Sequence, residues 1–338
     1  AFLRDVMRLA LEPREIAELD THVEGWIAGL QLAALSMQNR EHPAELIAAL
    51  SGSHHFILGY LTEEVLRQQT PEVRSFLLET SVLTRLTAPL CDAVTGRADS
   101  DATLRRLYAA NAFVIALDEA HAWFRYHHLF ADLLRGELGR TRPHLVSSLH
   151  VRASEWYEAE GSATEAIEHA LAAEDYPRAV RLLEVHARPV TLQGYAQSVE
   201  SWLRRLPREW RVAGPRANLA FGWSLLLRGQ PGQIEAYALD AEAAAAERTR
   251  AGAHREAAAI LAEACALRAT ALSVLGDTEQ GYVLARKAVA QAPRDDIYLQ
   301  GMVHFALASV HIYAGKVVQA IDTYREALPL CQASGNTA

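Results

Sequence analysis

The residues best placed for chemistry are few and scattered. His127 and His128 stand together where a hairpin runs into a helix, in the string Phe-Val-Ile-Ala-Leu-Asp-Glu-Ala-His-Ala-Trp-Phe-Arg-Tyr-His-His-Leu-Phe over 113–130. An imidazole and the free N–H groups of a helix start both favour an anion. The plainer reading packs one histidine against the wing and leaves the other solvated. Gly25 and Gly29 sit inside an amphipathic helix. Each costs roughly 1 kcal/mol against alanine, so the pair implies close approach of a ligand or of another helix. His304 and His311 share a helix face without a third ligand, so they make no metal site. Gly222-Trp223-Ser224 lacks the last glycine of a nucleophile elbow. No phosphate-binding loop is present, because Lys287 lacks glycines and Lys316 precedes Val317. No catalysis is expected.

The elements that carry these residues read as helix almost throughout. Half of the 338 residues are hydrophobic, so the chain is globular, and its length implies two or three domains. No apolar run of about 18 residues is free of charge, so no membrane span is expected. Cys91, Cys265 and Cys331 form no disulfide or metal framework, which suits a reducing cytoplasm. The net charge of −8 argues against this segment gripping nucleic acid by itself. The ends of the sequence suggest an excised segment.

Three helices are expected over residues 1–50 and an amphipathic helix over Phe56–Gln69. A capped start follows at Thr70-Pro71-Glu72, then helices over Thr87–Val94 and Asp99–Asn111. The β-branched and aromatic run Phe113–Leu117, a turn at Asp118-Glu119-Ala120 and the return Trp123–Tyr126 give one β-hairpin. Helices followed by a wing are a winged-helix order. From Pro143 onward helical hairpins repeat. Ala308, Gly315, Ala320, Tyr324 and Ala327 match Ala269, Gly276, Gly281, Ala285 and Ala288 at an offset of 39 residues. Small residues at fixed offsets let paired helices pack closely, which is the tetratricopeptide pattern. One helix is expected to stop at Ala187, ahead of Pro189. The arginines and tryptophans between Trp202 and Arg216 read as a solvated helix end or an inter-domain contact. Some repeat aromatics are expected on a binding face: Trp223, Tyr282, Tyr298, His304, His311 and Tyr313.

Five strings resemble one family: Glu24–Leu35, Phe76–Leu83, Arg125–Phe130, Leu149–Tyr157 and Trp202–Pro207. In this order they are similar to the MalT-like, LuxR-type transcriptional activators, which are signal-transduction ATPases with numerous domains. The resemblance implies a mainly α chain: the end of an ATPase helical lid (1–53), a winged helix with one hairpin (54–140) and a tetratricopeptide-like superhelical sensor (141–338). It implies that His127 or His128, with His127 the first choice, contacts the phosphates of ADP, and that the Gly25–Gly29 helix lies over the base. ATP or ADP would bind only in the full-length protein, and no cofactor is expected for this segment. The implied partners are a small-molecule inducer or a protein on the solenoid, a second copy on activation, and promoter DNA through a domain outside this segment. A stand-alone repeat adaptor for a protein or peptide is the alternative.

Overall fold

The structure, a computed structural model, describes residues 69–109 and 114–333, together with the single positions Arg14 and Leu66. The helices expected over 1–50, with Gly25 and Gly29, lie outside the described residues, as does most of Phe56–Gln69. Contacts divide the chain between Trp156 and Tyr157 into two compact units.

In the first unit, helix α1 (Pro71–Thr80) starts as its sequence requires. Thr70 caps it by accepting the Val73 N–H at 3.4 Å, and Pro71 fills a position that needs no donor. Helix α2 (Ala88–Thr95) is capped by Thr87 and closed by Gly96 at φ +73°. Helix α3 (Ser100–Ala109) buries Leu104 and Leu107. Strands β1 (Val114–Ala116) and β2 (Phe124–Tyr126) pair antiparallel, with Ile115 opposite Arg125. The Asp118 carboxylate fixes their turn by accepting the N–H groups of Ala122 and Trp123. Leu86 adds a bridge to Phe124 on the far side of β2, with bonds of 2.7 and 2.9 Å. Helix α4 (His128–Thr141) follows β2 directly. Phe76, Leu90, Phe124 and Phe130 are fully buried between these elements. Within that core the Thr80 and Tyr126 hydroxyls share a 2.6 Å hydrogen bond.

Helix α5 (Pro143–Ala159) leads into the second unit, which is helical among the described residues. It continues with α6 (Ala163–Ala172), α7 (Tyr176–Leu192), α8 (Ala196–Arg205), α9 (Arg208–Ala213), α10 (Pro215–Leu227), α11 (Ile234–Arg250), α12 (His254–Val274), α13 (Thr278–Gln291), α14 (Ile297–Tyr313) and α15 (Val317–Ala333). The turn glycines Gly161, Gly229, Gly276 and Gly315 all have positive φ. In each case the next residue's N–H reaches back to the carbonyl five residues before it, as Asp277 does to Leu272. Gly281 packs α13 against α12, where a Cβ would strike the Ser273 hydroxyl and the Ala269 carbonyl.

Two expectations are corrected. Helix α7 does not stop before Pro189 but runs through it to Leu192. Its packing against α10 outweighs the one hydrogen bond that proline removes. The stretch between Pro207 and Pro215 holds a further short helix, α9.

The helices form two rows. α7, α10, α12 and α14 pack successively on one another, while α11 and α13 each pack on two neighbouring members of that row and α15 packs on α14. The shared row is the inner one. Helix α12 is long and apolar enough to cross a membrane by length and composition, and 67% of its most apolar window is buried inside the unit. Helices α11, α13 and α14 cover it.

Candidate functional site

Two places gather functional side chains, one in each unit. In the winged unit, His127 is the N-cap of α4, with φ −56° and ψ 135°, and its carbonyl accepts the Ala131 N–H at 2.9 Å. Its side chain makes no capping bond. The ring is buried at 3% exposure and stacks on the half-buried His128, with centroids 4.6 Å apart. Sequence spacing alone gives neither the stack nor the burial of the first ring. His128 is thus the more accessible of the two.

In the repeats the expected binding-face residues separate into two groups. Trp223 of α10 and Tyr298 of α14 pack against one apolar cluster that includes Cys265, Leu299, Met302 and Val303. His304 lies one turn beyond Gln300 on α14, and its Nδ1 is 2.7 Å from the Gln300 carbonyl. The second group is Tyr282 of α13 with His311 of α14, whose rings meet edge to face at 5.5 Å. Lys316 lies over the Tyr282 ring at 5.0 Å. Burial, and then the Lys316 charge, hold the His311 pKa below its usual value. Tyr313, at the end of α14, is exposed.

Sequence reasoning missed the polar partners of the first group. Arg188 of α7 donates from Nη2 to Oε1 of Glu263 on α12 at 2.5 Å. Its guanidinium carbon lies 4.5 Å from the centroid of the Tyr298 ring on α14. With axes about 9 Å apart, a flat row would place α14 some 27 Å from α7, beyond one side chain's reach. The inner row therefore curls around this point. No local signal marks Arg188 or Glu263, which are separated by 75 residues. The indole Nε1 of Trp223 is buried without a hydrogen-bond partner.

The arginine-rich stretch is engaged in ion pairs. Arg204 pairs with Glu200, Arg205 with Glu168, and Arg208 and Arg211 with the buried Asp240. Trp202 is buried and donates its indole N–H to Glu168. Among the described residues, no group of three or more His, Cys, Asp and Glu side chains is arranged to hold a metal ion.

A winged helix is followed in this chain by stacked helical hairpins. Residues 62–146 match the MalT winged helix domain. The chain is 30% identical over 324 residues to the HTH-type transcriptional regulator MalT of Yersinia enterocolitica, covering 95% of this chain and 35% of that protein. MalT of Serratia proteamaculans is 29% identical over 320 residues, with 94% and 35% covered. The serine/threonine-protein kinase PknK of Mycobacterium tuberculosis is 36% identical over 231 residues, covering 68% of this chain and 21% of the kinase. Among solved structures, a Pyrococcus horikoshii signal transduction ATPase with numerous domains and a tetratricopeptide repeat sensor matches with a TM-score of 0.45 at 12% identity, over 91% of this chain and 53% of that one. The chain is a MalT-like regulatory segment, related to these regulators along nearly its whole length. It spans about a fifth of the kinase and about a third of the regulators.

Proposed function

We propose that this chain is the switch and sensor part of a cytoplasmic, nucleotide-controlled transcriptional activator, and that it is itself non-catalytic. The observation that carries this reading is a MalT-type winged helix joined in one chain to a curled stack of helical hairpins. The His127–His128 pair at the start of α4 suits a phosphate of bound ADP, because its N–H donors and the helix end favour negative charge. A hydrogen bond to a charged group contributes roughly 1.5–3 kcal/mol, enough to bias a two-state equilibrium. The closed form is held by ADP and the winged helix. An inducer on the inner row, with ATP, favours an open form that self-associates and reaches promoter DNA through a domain outside this segment. The inducer acts only if it binds the two forms unequally.

The test uses the full-length protein. His127→Ala and His128→Ala should raise basal activity and shorten ADP retention. Unchanged retention and activity in both variants would remove the nucleotide role. The sensor role is tested by melting the chain with small metabolites, since a ligand at about 100 times its Kd adds roughly 2.7 kcal/mol.

The 36% identity to PknK favours a second reading, in which the segment controls a kinase domain in place of a DNA-binding one. The alternative of a free-standing adaptor for a protein or peptide needs neither. Sequencing the gene on both sides separates all three: a P-loop and a helix-turn-helix, a kinase domain, or neither.

A further inference from the structure

The chemistry on the inner row selects for one kind of ligand. Three observations meet there. Arg188 rests its guanidinium on the Tyr298 ring and gives one N–H to Glu263. The Glu263 side chain is only 10% exposed, whereas that of Arg188 is 34% exposed, so the arginine is the more open member of the pair. A guanidinium carries five N–H donors in a planar fork, and Glu263 takes one of them here. The Trp223 indole N–H, against the same apolar cluster as Tyr298, is a further donor without an acceptor.

Arg188 keeps donors that Glu263 does not take, and the Trp223 N–H, buried beside the same cluster, lacks an acceptor, while the nearby carboxylate is already engaged. We propose that Arg188, Tyr298 and Trp223 form the recognition point for a small anionic ligand, a carboxylate or phosphate carried on a flat or apolar body. The proposal rests on the sensor reading above and adds the ligand's charge and its point of contact. The anion takes the open edge of the Arg188 fork, the geometry in which arginine binds oxyanions in pairs. The flat body lies along the Tyr298 and Trp223 rings. Glu263 keeps its bond to Arg188 and aims the fork, and its negative charge opposes the ligand's and limits affinity.

That arrangement gives a signature that a merely structural ion pair lacks. Phenyl phosphate, phenylacetate and the neutral control benzamide are titrated into the 338-residue chain by calorimetry, with circular dichroism on every variant. At least one anion should bind saturably, and benzamide should not. Which anion binds separates phosphate from carboxylate recognition. Arg188→Gln should weaken the anion by about tenfold or more. Arg188→Lys, which keeps the charge and loses the fork, should fall between. Glu263→Gln should bind the anion more tightly, because it removes the opposing charge and keeps an acceptor for Arg188. If Arg188→Gln does not fold, the Arg188→Lys and Glu263→Gln arms decide alone. Equal binding of benzamide, undiminished binding by Arg188→Lys, no tightening in Glu263→Gln, or no anion binding at all would overturn the proposal. A neutral metabolite that still raises the melting temperature would leave the sensor reading standing. Anion binding without any effect on the full-length protein's output would instead end the sensor reading and spare this site.

Discussion

Glu174 holds φ +57° in the turn between α6 and α7, where six other repeat turns place a glycine. The following N–H of Asp175 still reaches the Ala170 carbonyl at 3.0 Å, so the turn is the same and only the residue differs. A side chain in that backbone region costs on the order of 1 kcal/mol. Glu174→Gly should therefore stabilise the chain by about 0.5–1 kcal/mol, read from urea unfolding. Gly281→Ala should do the opposite and cost about 1–3 kcal/mol, because the new methyl meets the Ala269 backbone. Gly222→Ala should cost less, since the nearest atoms its methyl meets belong to the Leu267 side chain and not to backbone. His311 gives a pH dependence. Its folded pKa lies below the unfolded value of 6.5, so the folded state binds the proton more weakly. Its contribution is complete above that value and is lost as the pH falls through it toward the lower folded pKa. His311→Gln should flatten the decline in melting temperature between about pH 7.5 and about pH 5.

At the scale of elements, what is local in sequence was legible and what is distant was not. Thr70, Thr87 and Gly96 announce the ends of α1 and α2, because a cap is settled within four residues. The 39-residue offset marks the hairpins α12–α13 and α14–α15, because small residues at a helix crossing leave a periodic trace. Leu86 gave no such trace. A single bridge residue has no alternation to read, and it pairs with Phe124 across 38 positions. Helix α9 was hidden because prolines at both ends make six residues look like a linker. Of the candidate site, the aromatics Trp223 and Tyr298 could be named from sequence, but the Arg188–Glu263 pair that joins them is set by the curl of the inner row. For α1, Thr70→Ala should cost about 1 kcal/mol and loosen the amide protection of the first turn, read by hydrogen exchange.

For the whole molecule, one bond changes how the repeats depend on one another. In a stack of hairpins each unit contacts its neighbours alone, and stability is close to a sum of adjacent terms. Arg188 departs from that pattern, since α7 is tied to α12 and α14, past the intervening α10. Arg188→Met should cost about 1–2 kcal/mol, a buried-pair value reduced because the arginine is one-third open to water. Its larger effect should be on the width of the transition, with calorimetric and van't Hoff enthalpies drifting apart.

A linear array ordinarily melts like a frayed rope, its last strands parting while the middle stays wound. A tether across several units denies that freedom to the helices it spans, because α12 cannot let go without breaking a bond rooted on α7. Slack introduced anywhere along the loop it closes would then be felt at every other point. A ligand seated at Arg188 would act on that tether, and whatever loosens or tightens it would set the curl of the second unit's inner row.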